Sequence, residues 1–151
     1  MITIRKASID DLSVLLEFEQ GIVEAERPYD STMIEAHFHY YDIEEMLKRE
    51  DCAIVVAEVD GQLVASGSAR IQKGKPYNNF NSYAFLGFMY VSPAFRGQGL
   101  NQKIVDSLLE WSQSKGLTEV RLQVYSENNN AIRAYEKIGF KPILTEMRLI
   151  K

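Results

Sequence analysis

Tyr90-Val91-Ser92-Pro93-Ala94-Phe95-Arg96-Gly97-Gln98-Gly99-Leu100-Asn101 reads as the end of a strand, a short glycine-bearing loop and the start of a helix. Ile104, Val105, Leu108, Leu109 and Ser112 follow at amphipathic helix spacing. A loop of this kind points unpaired backbone N–H groups outward. The helix dipole adds partial positive charge there, and Arg96 adds a full one. Such a site suits an anion, above all a phosphate or pyrophosphate. Two common phosphate loops are excluded. The dinucleotide fingerprint needs a third glycine where this chain has Gln102, and no Gly-Lys-Ser/Thr run of a P-loop occurs.

Working outward, Ile2–Lys6 alternates as a strand, and Asp10 or Asp11 caps a helix carrying Leu12, Leu15, Leu16 and Glu19. Pro28-Tyr29-Asp30-Ser31 is a turn, and Ile43–Arg49 is helical. Ala53–Val59 is a continuous apolar strand, Asp60-Gly61 a hairpin turn and Leu63–Ile71 the returning strand. Gln72–Ser82 is a loop, and Tyr83–Val91 is the strand that enters the glycine loop. After the helix, stopped by Gly116, come a strand at Val120–Tyr125, a helix at Ala131–Ile138 ended by Gly139, and a last strand at Leu144–Ile150. The order β-α-α-β-β-β-α-β-α-β predicts an α/β fold, a mixed sheet with helices on both faces.

One domain over residues 1–151 is expected from this length. A net charge of −4, with no Lys/Arg-rich run, argues against nucleic acid as a partner. Cys52 is the only cysteine, so no intrachain disulfide forms, and a buried inert thiol is expected. No signal peptide or membrane-spanning run is seen, which fits a cytoplasmic protein with no membrane partner. His37 and His39 flank Phe38 but lack a completing ligand spacing, so no metal site is expected.

A second motif lies downstream. Asn128-Asn129-Asn130-Ala131-Ile132-Arg133-Ala134-Tyr135-Glu136-Lys137-Ile138-Gly139-Phe140 follows the pattern Asn-x-x-Ala-x-x-x-Tyr-x-x-x-Gly-Phe. The first loop follows Gln/Arg-x-x-Gly-x-Gly/Ala up to its last position, and Ile4–Asp11 supplies a matching opening strand and helix start. Together these resemble the GNAT family of N-acetyltransferases over nearly the whole chain, most weakly across 21–50.

The resemblance implies a GNAT-like acyl-CoA N-acyltransferase fold, acetyl-CoA as donor and an amine as acceptor. It implies that the backbone of Arg96, Gly97, Gln98, Gly99, Leu100 and Asn101 holds the pyrophosphate. Pantetheine then lies along the preceding strand at Met89, Tyr90 and Val91, pairing as an added strand. Gly87 in that strand suggests a bulge near Gly87–Met89, aiming an N–H at the thioester oxygen. Tyr135 matches the family's general acid, and Asn128 the contact to the pantetheine arm. Plainer roles are a core tyrosine for Tyr135 and a helix cap for Asn128. Dimers are common in the family, which allows a homodimer here.

Two departures stand out. Asn101 replaces the usual Gly or Ala, and Gly87 and Phe88 stand where many members carry a carboxylate base. An amine with pKa near 10.4 is mostly protonated at pH 7, a handicap of about 4–5 kcal/mol. Glu24, Glu26 and Asp30 flank the first helix-to-helix turn, where the family builds its acceptor pocket. Glu26 is the candidate base or substrate contact, with Tyr83 and Tyr90 as weaker polar candidates. The expected activity is acetyl transfer to a primary amine, most readily a small cationic molecule. The alternatives are a non-catalytic acyl-CoA-binding module and a protein acetyltransferase acting on N-termini or lysines.

Overall fold

The computed structural model describes residues 1–150. β1 (Ile2–Lys6), β2 (Cys52–Val59), β3 (Gln62–Lys73), β4 (Ser82–Val91) and β5 (Val120–Leu122) form one sheet in the order β1-β2-β3-β4-β5. The first four pair antiparallel, and β5 runs parallel to β4. A parallel pair needs a crossover, and α3 (Leu100–Ser114) supplies it. α1 (Leu12–Glu26) and α2 (Ile43–Lys48) cover the opposite face, and α4 (Asn129–Ile138) follows β5.

β2 explains why one strand reads as a continuous apolar run. Val55 and Ala57 pack with Ile104, Val105 and Leu108 of α3, whereas Ile54 and Val56 pack with Leu15, Phe18 and Ile22 of α1. Both faces are covered, so no position is left for an alternating polar residue. Cys52, at the head of β2, is a buried free thiol. Val59 pairs with Gln62 across Asp60 and Gly61, whose φ values of 51° and 81° make the primed hairpin turn. Leu108 is fully buried against this core. Leu108→Ala is expected to cost about 2–5 kcal/mol of stability, read from urea unfolding, because the rigid sheet cannot collapse into the gap.

Two expectations at the C-terminal end are corrected. β5 ends at Leu122 rather than Tyr125, and Leu144–Ile150 forms no strand. A strand needs a neighbour for its backbone groups. β5 is three residues long and spends its pairing on Ala84–Leu86 of β4, and Leu144–Ile150 is paired with no strand. The segment instead reaches across to the turn after α1, where Arg148 donates to Asp30 at 3.0 Å. Leu144, Met147, Leu149 and Ile150 stay exposed.

The short β4–β5 pairing positions the site. Beyond Leu86, the edge of β4 that faces away from β3 meets no strand. On the β3 side, Ser66 pairs with Tyr90 and Ser68 with Gly87, so Gly67 alone faces Phe88 and Met89. That is a β-bulge, placed where Gly87 suggested one. Gly67 is required there: a Cβ would lie 2.4 Å from Ile104 Cγ2 and 2.8 Å from Met89 Sδ.

Candidate active site

The glycine loop opens α3 as the sequence predicted. Gly97 and Gly99 both have φ of 78°, and Gly99 is the residue just before the helix. The first helical bond at this end runs from Lys103 N–H to the Gly99 carbonyl at 3.3 Å. Among the described residues, the backbone N–H groups of Gly97, Gln98, Gly99, Leu100, Asn101 and Gln102 have no hydrogen-bond partner. A Cβ built on either glycine would meet nothing within 4 Å, so the space beside them is open. Leu100 is buried and offers only its N–H; Asn101 is half-buried. Arg96 folds back, with its Nε donating to the Val91 carbonyl at 3.1 Å. The loop therefore adjoins the open β4 edge at Met89, Tyr90 and Val91. The Tyr90 side chain leaves this edge and stacks on Phe18 with ring centres 4.6 Å apart, so only its backbone faces it.

Tyr135 sits mid-helix in α4, its ring edge-on to Phe140. Burial pushes its phenol up to about 12, and nearby Glu26 and Tyr41 push in the same direction. Asn128 caps α4, its Oδ1 accepting from the Ala131 N–H at 3.3 Å. The cap role is thus present, and the side-chain nitrogen is left to other partners.

Three carboxylates were candidates near the first turn, and their surroundings separate them. Glu24 accepts from Arg27 at 3.0 Å. Asp30 accepts from Thr32, from Arg148 and, at 3.3 Å, from the Tyr125 hydroxyl. Glu26, at the end of α1, has no ion-pair partner among the described residues. Burial raises its carboxyl, and the Tyr40 hydroxyl draws it partly back. Its charge is felt by Tyr40, Tyr41, Tyr125 and Tyr135. A half-buried carboxylate whose carboxyl burial raises, with Tyr40 as hydrogen-bond partner, is suited to taking a proton. Tyr83 lies elsewhere, under the Arg121 guanidinium.

Sequence reasoning missed Tyr40, Tyr41, Tyr125 and the buried Glu19. Glu19 is 0% exposed and accepts from the Tyr41 N–H at 2.8 Å, while its other oxygen lies 2.6 Å from His39 Nδ1. The available signal was a carboxylate on the apolar stripe of α1, four residues after Leu15, which demands a buried partner. Among the described residues, no three His, Cys, Asp or Glu side chains cluster as a metal site, and no helix is long and apolar enough to cross a membrane.

A mixed sheet whose β4 edge is left open, with unpartnered backbone N–H groups at a helix start beside it, is an architecture suited to a phosphate-bearing ligand. The family model described as "Acetyltransferase (GNAT) family" matches residues 18–140, and the chain belongs to that family. The N-acetyltransferase MJ1207 of Methanocaldococcus jannaschii is 27% identical over 153 residues, covering 92% of this chain and 60% of its own. The chain thus spans less than two thirds of that relative. Aminoglycoside N(6')-acetyltransferase type 1 of Salmonella typhimurium is 26% identical over 104 residues, covering 68% of this chain and 72% of its own. The structure of AAC(6')-Iy in complex with the bisubstrate analog CoA-S-monomethyl-acetylneamine superposes with a TM-score of 0.74. It covers 100% of this chain and 98% of its own at 22% identity, a likeness of fold.

Proposed function

We propose that this chain transfers the acetyl group of acetyl-CoA to the primary amine of a small cationic acceptor, by direct attack. The observation that carries this reading is the set of unpartnered N–H groups at Gly97–Asn101 beside the open edge of β4, with Glu26 near enough to Tyr135 to act on its phenol. The open N–H groups of Gly97–Asn101 fit a pyrophosphate, and the free edge at Met89 and Val91 fits an extended chain with amides. Glu26 takes a proton from the acceptor ammonium, which removes the handicap of a protonated amine. Tyr135 gives its proton to the departing thiolate. The neutral phenol is the form needed, and burial keeps it so at neutral pH.

An acceptor with positive charge is supported by the Glu26 carboxylate, which has no ion-pair partner among the described residues. The aminoglycoside acetyltransferase among the relatives fits the same chemistry. Glu26→Gln is expected to lower kcat/KM by about 10²–10⁴-fold at neutral pH. Its loss should shrink as pH rises and free amine accumulates without a base. A constant loss across pH 7–10 would instead mark Glu26 as a binding contact only.

The test of the reading is thiol release from acetyl-CoA against polyamines, aminoglycosides, amino acids and short peptides, alongside calorimetric CoA binding. Turnover with a cationic small molecule is expected. Turnover confined to peptides would move the acceptor to protein N-termini or lysines. Binding with no turnover on any amine would favour an acyl-CoA-binding module.

A further inference from the structure

Most arginines of this chain are already engaged. Arg5, Arg27, Arg49, Arg121 and Arg148 each pair with a carboxylate. Arg96 turns back to the Val91 carbonyl, and Arg133 donates to Asn130 on α4. Arg70, in β3, has no ion-pair partner among the described residues. With its amide oxygen turned to face Arg70, Gln72 accepts from Nε at 3.2 Å and from Nη2 at 3.3 Å. That neutral contact orients the guanidinium and leaves its charge standing.

The register fixes which face Arg70 occupies. It lies opposite Cys52 on β2 and Phe85 on β4, and residues directly opposite share a face. Along β2 the same face carries Ile54 and Val56, which pack with α1. Arg70 therefore stands on the α1 side of the sheet, yet it is exposed. Its Cζ lies over the Phe85 ring, 5.3 Å from the centre. A guanidinium resting on an aromatic face is weakly hydrated and keeps its N–H edge for a planar anion.

Tyr41 ties this face to Glu26. Its N–H is fixed by the buried Glu19, and its hydroxyl accepts from the Phe88 N–H at 3.1 Å. That hydroxyl lies over Gly87, where a Cβ would come within 3.4 Å of it. Phe85 is two residues from Gly87, about 7 Å along the strand at about 3.3 Å per residue. Burial raises the Tyr41 phenol, Glu26 adds to the rise and Arg70 opposes it. One phenol thus lies in the field of a carboxylate and of a guanidinium, neither with an ion-pair partner among the described residues.

We infer that Arg70 is the carboxylate anchor of the acceptor site, and that the small cationic acceptor is a diamino acid with its side-chain amine at Glu26 and its carboxylate on the Arg70 guanidinium. This rests on the acetyl-transfer reading above and names the substrate class for that site. Two ammonium groups and one carboxylate keep such a molecule cationic. A guanidinium holds a carboxylate through two parallel N–H bonds, which fixes direction as well as distance. An α-amine sits too near its own carboxylate to span about 7 Å, so the side-chain amine is the one acetylated. That nitrogen loses its proton to Glu26 and bonds to the carbonyl carbon; the C–S bond breaks, and the thiolate leaves with the Tyr135 proton. The acceptor carboxylate is unchanged throughout.

The experiment measures thiol release from acetyl-CoA with lysine and ornithine beside cadaverine and putrescine, the same diamines without the carboxylate. NMR of the product identifies the acetylated nitrogen. For each diamino acid kcat/KM is expected to exceed that of its diamine by about 10–100-fold, mostly through KM. In Arg70→Gln both ratios should fall toward one. Each ratio is read within one protein, so a general loss of activity cancels. Turnover without preference for the diamino acids, or confined to amines that lack a carboxylate, overturns the inference and leaves the acetyl-transfer reading standing. So does a preference that persists in Arg70→Gln, or acetylation at the α-amine. No turnover with any amine overturns the acetyl-transfer reading and this inference with it. The wild-type ratios and the acetylated position decide the matter even if Arg70→Gln does not fold.

Discussion

Tyr135→Phe is expected to lower kcat by about 10²–10⁴-fold while leaving CoA affinity nearly intact. The substitution removes one oxygen and keeps the ring against Phe140. No described residue hydrogen-bonds the Tyr135 hydroxyl, so its removal strands no partner and the fold should persist. The loss therefore falls on the step that needs its proton, expulsion of the thiolate. The phenol, pushed up to about 12 by burial and then by Glu26 and Tyr41, is protonated throughout the neutral range. Wild-type activity should accordingly show no loss from Tyr135 ionisation until pH approaches that value. Single-turnover acetyl transfer measures the effect apart from product release. Unchanged single-turnover rates would remove the acid role and leave Tyr135 as a packing residue.

Gly99→Glu is expected to abolish CoA binding in a protein that still folds. Gly99 has φ of 78°, so any side chain costs about 1–2 kcal/mol, a tolerable loss for a domain of this size. No atom lies within 4 Å of the new Cβ, so nothing else is displaced. The carboxylate would stand at the helix start, taking the N–H groups meant for the pyrophosphate and repelling it. A like-charge contact at about 4 Å costs about 4 kcal/mol near a protein surface, about a thousandfold in Kd. Calorimetric titration with CoA and a thermal melt read binding and folding separately. Normal CoA affinity in the variant would mean that this loop does not hold the pyrophosphate.

The motifs that were legible in the sequence are local ones. Arg96–Asn101 could be read because glycine conformation, the helix start and the apolar spacing of α3 all lie within one short stretch. Asp60-Gly61 fixed the hairpin, and the continuous apolar run of β2 announced a strand covered on both sides. The last strand failed for the opposite reason. Leu144–Ile150 has strand-like residues, but a strand exists only with a partner, and β5 is too short to provide one.

The catalytic surroundings were only partly readable. Tyr135 came from its motif, whereas Glu26 was one of three carboxylates in a charged turn. What separates it is that Arg27 pairs with Glu24 and Arg148 with Asp30, leaving Glu26 half-buried with no ion-pair partner among the described residues. The position of Tyr41 was not readable at all. It depends on the buried Glu19 anchoring the segment before α2 and on a bulge that turns one amide toward the hydroxyl.

By itself the sequence determined the family, the sheet with helices on both faces and the glycine loop that opens α3. Each of these rests on spacing along the chain, where periodicity and glycine placement act directly. Only the tertiary structure decided which carboxylate stands free, which hydroxyl covers the β4 bulge and how far β5 extends. Those depend on groups far apart in sequence, and burial and hydrogen bonding assign them only once the chain has packed.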